Sequence, residues 1–151
     1  MVTKFLAPDA SITGYVPTEA EVDDIRDWFE RYDAHSATGR LEQMAAMADF
    51  PINLVTDGSK GDAWSGQWNR EEFLAVMAKA VGDGSQEMVF TSTRVPHFLT
   101  AAMVIVFTDA TVRAAGQSHR MRYADILVKK DGRWLFQTMA QGGWADMLTA
   151  G

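Results

Sequence analysis

The sequence predicts a single α+β domain, and three observations carry that expectation. Capping signatures and helical periodicity crowd the first half, residues from 87 onward read almost entirely as strand, and two short turns divide that second half into hairpins. A chain of 151 residues fits one domain, which at this size buries roughly 70% of the surface its unfolded chain exposes. No internal repeat, linker or low-complexity tract interrupts it.

Residues 1 to 17 contain Pro8 and Pro17 without a clear period and are read as an N-terminal arm before a domain over 18–151. The arm carries Phe5, Leu6 and Tyr15, candidates to dock on a partner subunit. Thr18 with Glu21 forms a capping-box signature, and Val22, Ile25, Phe29 and Tyr32 step by three or four. The spacing predicts a helix from 19 to about 36. Leu41, Met44 and Met47 suggest a shorter second helix with Thr38 as its cap, ended by Pro51. Ile52 to Thr56 and Ala63 to Trp68 read as short strands around the loop from Asp57 to Gly61. Asn69 and Glu72 repeat the capping box and open a helix carrying Phe73, Val76, Met77, Ala80 and Val81, which Gly82 and Gly84 terminate.

Four strands follow: Met88 to Leu99, Ala102 to Arg113, Ser118 to Lys129 and Arg133 to Gln141, an antiparallel meander. Pro96 marks the first of them as an edge strand or a bulged one. Ala115-Gly116 and Asp131-Gly132 suit two-residue hairpin turns. If both form, Asp125 faces Val106 and Thr138, Tyr123 faces Thr108 and Ala140, Leu127 faces Phe136, and Arg122 faces Asp109. One face then gathers His119, Tyr123, Asp125 and Thr138, with Thr138 and Ala140 leaving space beside Asp125. Neither face is uniformly polar, so both should be covered, one by the helices and the other by a second copy of the chain. The expected assembly is a homodimer through the sheet.

The formal charge of −6 argues against a nucleic-acid partner, which would need clustered Lys and Arg. The absence of cysteine excludes disulfides, thiolate catalysis and sulfur-ligated metals. No apolar run follows the first residues or reaches the roughly 18 needed to cross a bilayer, so the expected setting is cytoplasmic and away from membrane.

Asp125 is the most unusual residue. Asp is disfavoured inside strands, and an unpaired carboxylate facing an apolar layer either destabilises the fold or takes up a proton. It is read in two ways: as a carboxyl of raised pKa that donates a hydrogen bond or moves protons in a pocket, or as a structural group satisfied by neighbours. Tyr32, on the apolar stripe of the first helix, is either a donor that polarises a carbonyl oxygen or a core ring. Asp57, at a strand end, is a candidate general base, although alternation with Ile52 and Leu54 turns Thr56 inward and leaves Asp57 in the turn. His35, His97 and His119 fall on no metal-ligand spacing, so neither metal nor cofactor is expected; His119 shares the face of Asp125 and is a candidate for a pocket rim. Trp28, Trp64, Trp68, Met44, Met47 and Met77 should face inward as core, or as an adaptable lining for a flat hydrophobic ligand.

Four segments carry a resemblance: Trp28-Phe29-Glu30-Arg31-Tyr32-Asp33-Ala34, Gly39-Arg40-Leu41, Trp64 to Trp68, and Tyr123-Ala124-Asp125 through Lys130-Asp131-Gly132-Arg133-Trp134. Over roughly residues 19 to 141 the chain resembles the nuclear transport factor 2-like superfamily, which includes ketosteroid isomerases, polyketide cyclases and scytalone dehydratase. The resemblance implies a cone-shaped, cystatin-like domain in which a curved sheet wraps helices around a pocket. It also implies that Tyr32 matches the oxyanion-hole tyrosine of the isomerases and Asp125 lies near their protonated aspartic acid, whose neutral state is an established example. The base position falls at Thr56 or Asp57. The combined expectation is a metal-free acid/base enzyme for a small hydrophobic carbonyl compound, with Asp125, Tyr32 and Asp57 as catalytic residues and Trp28, Trp68, His119, Tyr123, Thr138 and Thr56 in contact with the ligand. The competing expectation is a binding or dimerisation module without turnover.

Overall fold

The computed structural model describes residues 2–7, 13–81 and 88–149. Its elements run β1 (Val2–Phe5), α1 (Glu19–Ala37), α2 (Leu41–Ala45), β2 (Ala48–Asp57), β3 (Ala63–Trp68), α3 (Arg70–Val81), β4 (Met88–Thr100), β5 (Met103–Ala114), β6 (Gln117–Lys130), β7 (Arg133–Gln141) and α4 (Ala145–Thr149). The expected α+β architecture holds.

The capping boxes do what their spacing implies. Thr18 Oγ1 accepts from the Glu21 backbone N–H at 3.1 Å while the Glu21 carboxylate accepts from the Thr18 N–H, and Asn69 Oδ1 accepts from the Glu72 N–H at 2.9 Å. Thr38 is a correction. It closes α1, with Oγ1 donating to the Ala34 carbonyl at 2.8 Å, and Gly39 at φ 67° lets the chain reverse direction. The short α2 therefore starts without a side-chain cap. The Gly82 and Gly84 stop signals lie outside the described residues.

Seven strands form one sheet in the order β1-β4-β5-β6-β7-β2-β3. β4 to β7 form the expected antiparallel meander, but the sheet as a whole is mixed rather than antiparallel, because β1 runs parallel to β4 and β2 parallel to β7. The arm thus supplies an edge strand, and its aromatic residues pack on their own domain: Phe5 against Phe29 at 6.1 Å and Tyr15 against Phe98 at 6.3 Å between ring centroids. Pro96 lies just beyond the last β1 partner, Arg94, where β4 needs no second neighbour for its missing N–H.

Both hairpins close as expected, with Ala115, Gly116, Asp131 and Gly132 all at positive φ (52, 77, 52 and 76°). The β5–β6 register is the expected one, Asp125 opposite Val106, Tyr123 opposite Thr108 and Arg122 opposite Asp109. The closer ion pair to Asp109 is made by Arg120, at 2.7 Å against 3.6 Å for Arg122, on the exposed face. The β6–β7 register departs from expectation. Leu127 faces Phe136, but an irregularity next to Ile126 leaves Gln137 unpaired, so that Ile126 faces Thr138, Asp125 faces Met139 and Tyr123 faces Gln141. One inserted residue exchanges the two faces of everything beyond it. Thr138 and Ala140 therefore leave the inner face, and Met139 and Gln141 replace them.

The core lies between the helices and that inner face. Ile25, Trp28 and Phe29 of α1, Met44 of α2 and Phe73 and Met77 of α3 pack against Ile52, Leu54, Phe98, Val104, Val106, Leu127 and Phe136. Among the described residues no helix is long and apolar enough to cross a membrane.

Candidate functional site

Helices α1 to α3 do not fill the inner face completely. They leave a cavity of about 470 Å³, within the usual range for small-molecule sites. Aromatic and methionine side chains make up most of its wall: Trp28, Phe29, Phe90, Phe136 and Trp144, with Met44, Met77, Met88, Met121 and Met139. Exposed Ala80 and His119 stand at its rim, and its polar groups are Tyr32, Asp33 and Ser36 from α1, Arg94 from β4, His119, Tyr123 and Asp125 from β6, and Gln141 from β7.

Asp125 is 6% exposed, and among the described residues none makes a hydrogen bond to its carboxyl. Burial disfavours the charged form, the Arg94 cation counteracts it, Asp33 adds to it, and the pKa is pushed up to about 7. At neutral pH and below, a large share of Asp125 is therefore a neutral acid facing an apolar cavity. Tyr32 stacks on Trp28, with centroids 5.1 Å apart and planes 7° from parallel. Its phenol is held well above the ordinary range, first by burial and then by the negative charge of Asp125.

Beside these sits a buried cluster that sequence reasoning missed. Arg94, 2% exposed, makes a two-pronged ion pair with Asp33, 5% exposed. The same guanidinium donates to the Tyr123 hydroxyl at 3.2 Å and to Thr108 Oγ1 at 3.3 Å, and lies 4.3 Å from the centre of the Phe29 ring. Both charged residues left a trace in the sequence. Asp33 continues the Ile25–Phe29 stripe at i+4, and Arg94 has the strand parity of the buried Ser92, Pro96 and Phe98. Two opposite charges on two apolar faces imply each other.

The remaining expected residues divide. Trp28, His119 and Tyr123 line the cavity, while Thr138 is turned outward, where its hydroxyl accepts from Asn53 Nδ2 at 3.4 Å. Asp57 is exposed and serves as an anchor: its Oδ1 accepts from the Gly143 N–H at 2.8 Å, and a Cβ on Gly142 would stand 3.0 Å from the same oxygen. Thr56 points inward but does not line the cavity; its hydroxyl accepts from the Trp144 N–H at 3.0 Å. Trp68 also lies outside the cavity wall, 6.3 Å from Trp144 in a stacked pair. Thr56, Asp57 and Trp68 thus hold the segment that brings Trp144 to the cavity. Thr56→Val leaves the Trp144 N–H without its acceptor and is expected to cost about 1–2 kcal/mol, read by urea denaturation, with faster hydrogen exchange at the Trp144 amide. Unchanged exchange there would remove Thr56 from this role.

Among the described residues no group of three or more His, Asp or Glu side chains is placed to hold a metal ion.

No family model matches the chain, and no curated protein matches it. Solved structures do. An NTF2-like protein of unknown function from Pseudomonas putida KT2440 superposes with a TM-score of 0.68 at 17% identity, over 85% of this chain and 89% of that one. The chain has the nuclear transport factor 2-like fold. Aln2 from a Streptomyces species shares it with a TM-score of 0.67 at 13% identity, over 91% and 100% of the two chains. A protein provisionally called a scytalone dehydratase, from Novosphingobium aromaticivorans DSM 12444, shares it with a TM-score of 0.59 at 17% identity, over 81% and 83%. Identities this low establish the NTF2-like fold and leave the chemistry to the residues of the site.

Proposed function

We propose that the cavity is an acid/base site for a small, flat, neutral carbonyl compound, of the isomerase, cyclase or dehydratase type. The observation that carries this is the Asp125 carboxyl, buried without a hydrogen bond from any described residue at an apolar cavity beside the Tyr32 and Tyr123 phenols. A neutral acid and a phenol together can hold a carbonyl oxygen and stabilise the charge it gains when an adjacent proton leaves. The Arg94 charge is already matched by Asp33, so a carboxylate or phosphate ligand would find no uncompensated guanidinium in the cavity. Asp57, bonded to the Gly143 N–H and outside the cavity wall, is not placed to act on a ligand there. A proton would have to pass through Asp125 itself, the rim imidazole of His119 or a bound water. A second reading, in which the same cavity binds a neutral ligand without turnover, is favoured by the absence of a second unpaired carboxylate among its described lining residues.

The two are separated with 2-tetralone. Binding is followed by quenching of tryptophan fluorescence, since Trp28 and Trp144 line the cavity, and proton abstraction by exchange of its α-hydrogens in deuterated buffer. Exchange above the buffer rate that disappears in Asp125→Asn supports the acid/base site. Binding without exchange supports the binding module, and the absence of both would sink the neutral-carbonyl reading.

The outer face of the sheet carries Phe107 at 52% and Met103 at 41% exposure, apolar side chains on β5 that a partner would cover. A second copy packed on this face accounts for them. Phe107→Glu is expected to shift the chain from dimer to monomer in sedimentation velocity, and a wild-type chain that sediments as a monomer would refute the assembly.

A further inference from the structure

We infer that Tyr123, held by the Asp33–Arg94 pair, is the phenol that this cavity offers to a ligand oxygen alongside Asp125, and that Arg94 acts on the ligand only through it. The inference rests on the oxygen-holding reading above and differs from it in naming the donor.

A guanidinium has donors only, so at 3.2 Å from Arg94 Nη2 the Tyr123 oxygen is the acceptor and its own proton must point elsewhere. Among the described residues no second group is bonded to that hydroxyl, and Tyr123 lines the cavity. The free direction of its O–H is therefore available to a ligand. A phenol that accepts from a cation is a stronger donor than one that accepts from nothing, because the first bond draws electron density from the oxygen. Tyr32 has no such partner among the described residues; it rests on Trp28.

The cation is fixed as well as placed. Both Nη atoms are bonded to Asp33, Nε is bonded to Thr108, and Phe29 covers one side of the plane. A lysine could carry the charge but not this planar fork. Electrostatics agree with the geometry. Burial raises the Tyr123 phenol, Arg94 draws it back, and it stands at about 12, whereas Tyr32 is driven further upward without an equal counterweight.

The test follows ring ionisation directly. The chain has three tyrosines, and replacing them with 3,5-difluorotyrosine lowers the pH at which each ring ionises and makes each ring visible by 19F NMR, with signals assigned by Tyr32→Phe and Tyr123→Phe. Asp33→Asn removes a nearby negative charge and should move the Tyr123 titration to lower pH. The double variant Asp33→Asn/Arg94→Met keeps the pair neutral and should move it to higher pH by about one pH unit or more. Tyr32 should move less in both. Opposite directions from two variants of one pair are not the signature of a loosened core. A Tyr123 signal that moves the same way in both, or not at all, overturns the relay.

The donor role is read with 2-naphthol, a neutral oxygen-bearing probe. Tyr123→Phe should weaken its binding by about 5- to 10-fold and Tyr32→Phe by less than about 3-fold, and adding Asp33→Asn/Arg94→Met to Tyr123→Phe should change little further. A larger loss from Tyr32→Phe overturns the choice of donor. Binding unaffected by Asp125→Asn and Tyr123→Phe alike overturns the oxygen-holding reading instead, while the 19F titration still decides the relay.

Discussion

Arg94→Met is expected to lower the unfolding free energy by about 3–5 kcal/mol, the usual consequence of stripping a buried ion of its partner. Asp33 is 5% exposed, and with the guanidinium gone its carboxylate either stays charged in an apolar setting or takes up a proton, both unfavourable. In a chain of this length that corresponds to a fall in Tm of roughly 10 °C. Asp33→Asn/Arg94→Met should recover most of the loss, because it removes both charges and leaves an amide where the carboxylate stood. Urea denaturation of the two variants at pH 7 measures the difference. If the single and double variants unfold at the same urea concentration, water reaches Asp33 and the pair is not the buried unit described above.

That pair marks the boundary of what the sequence makes legible. Local chemistry is readable: Thr18 and Glu21, or Ala115 and Gly116, carry their conformational instructions within a few residues, so helix starts and hairpins emerge as expected. Register is readable as long as nothing interrupts it, which is why Asp125 opposite Val106 is right and Asp125 opposite Thr138 is wrong. The unpaired Gln137 lies beyond the hairpin turn and is imposed by the sheet as a whole, where β7 must also run parallel to β2. No local propensity announces it, yet it sends Thr138 outward and Met139 inward. The partnership of Asp33 with Arg94 spans 61 positions and is visible only when the two apolar faces that carry them are read together.

The base position shows the same limit from the other side. Alternation along β2 places Thr56 inward and Asp57 outward, as expected, but what each one holds comes from the far end of the chain. A carboxylate at a strand end near a cavity looks like a general base until Gly143 and Trp144 are in place; then it is an anchor. Position along the strand does not reveal this, because the anchoring partner lies 86 residues away.

Asp125→Asn should stabilise the protein increasingly as pH rises, and this is the sharpest test of the Asp125 environment. The folded-state pKa, about 7, lies above the unfolded value of 3.8. Between those limits the native state holds a proton that the unfolded state releases, so wild-type stability declines as pH climbs from about 4 to about 7 and then levels off. A raised carboxyl pKa thus opposes stability at high pH, the reverse of a salt-bridged Asp. The shift corresponds to about 4 kcal/mol at the plateau. The Asn variant keeps a neutral group of the same shape and escapes this decline. Urea denaturation of both proteins from pH 4 to pH 8.5 should show curves that nearly meet at the acid end and separate by a few kcal/mol at the alkaline end. Parallel curves would mean that Asp125 is charged and solvated in the folded protein. In that case it could not present the proton that holding a carbonyl oxygen requires.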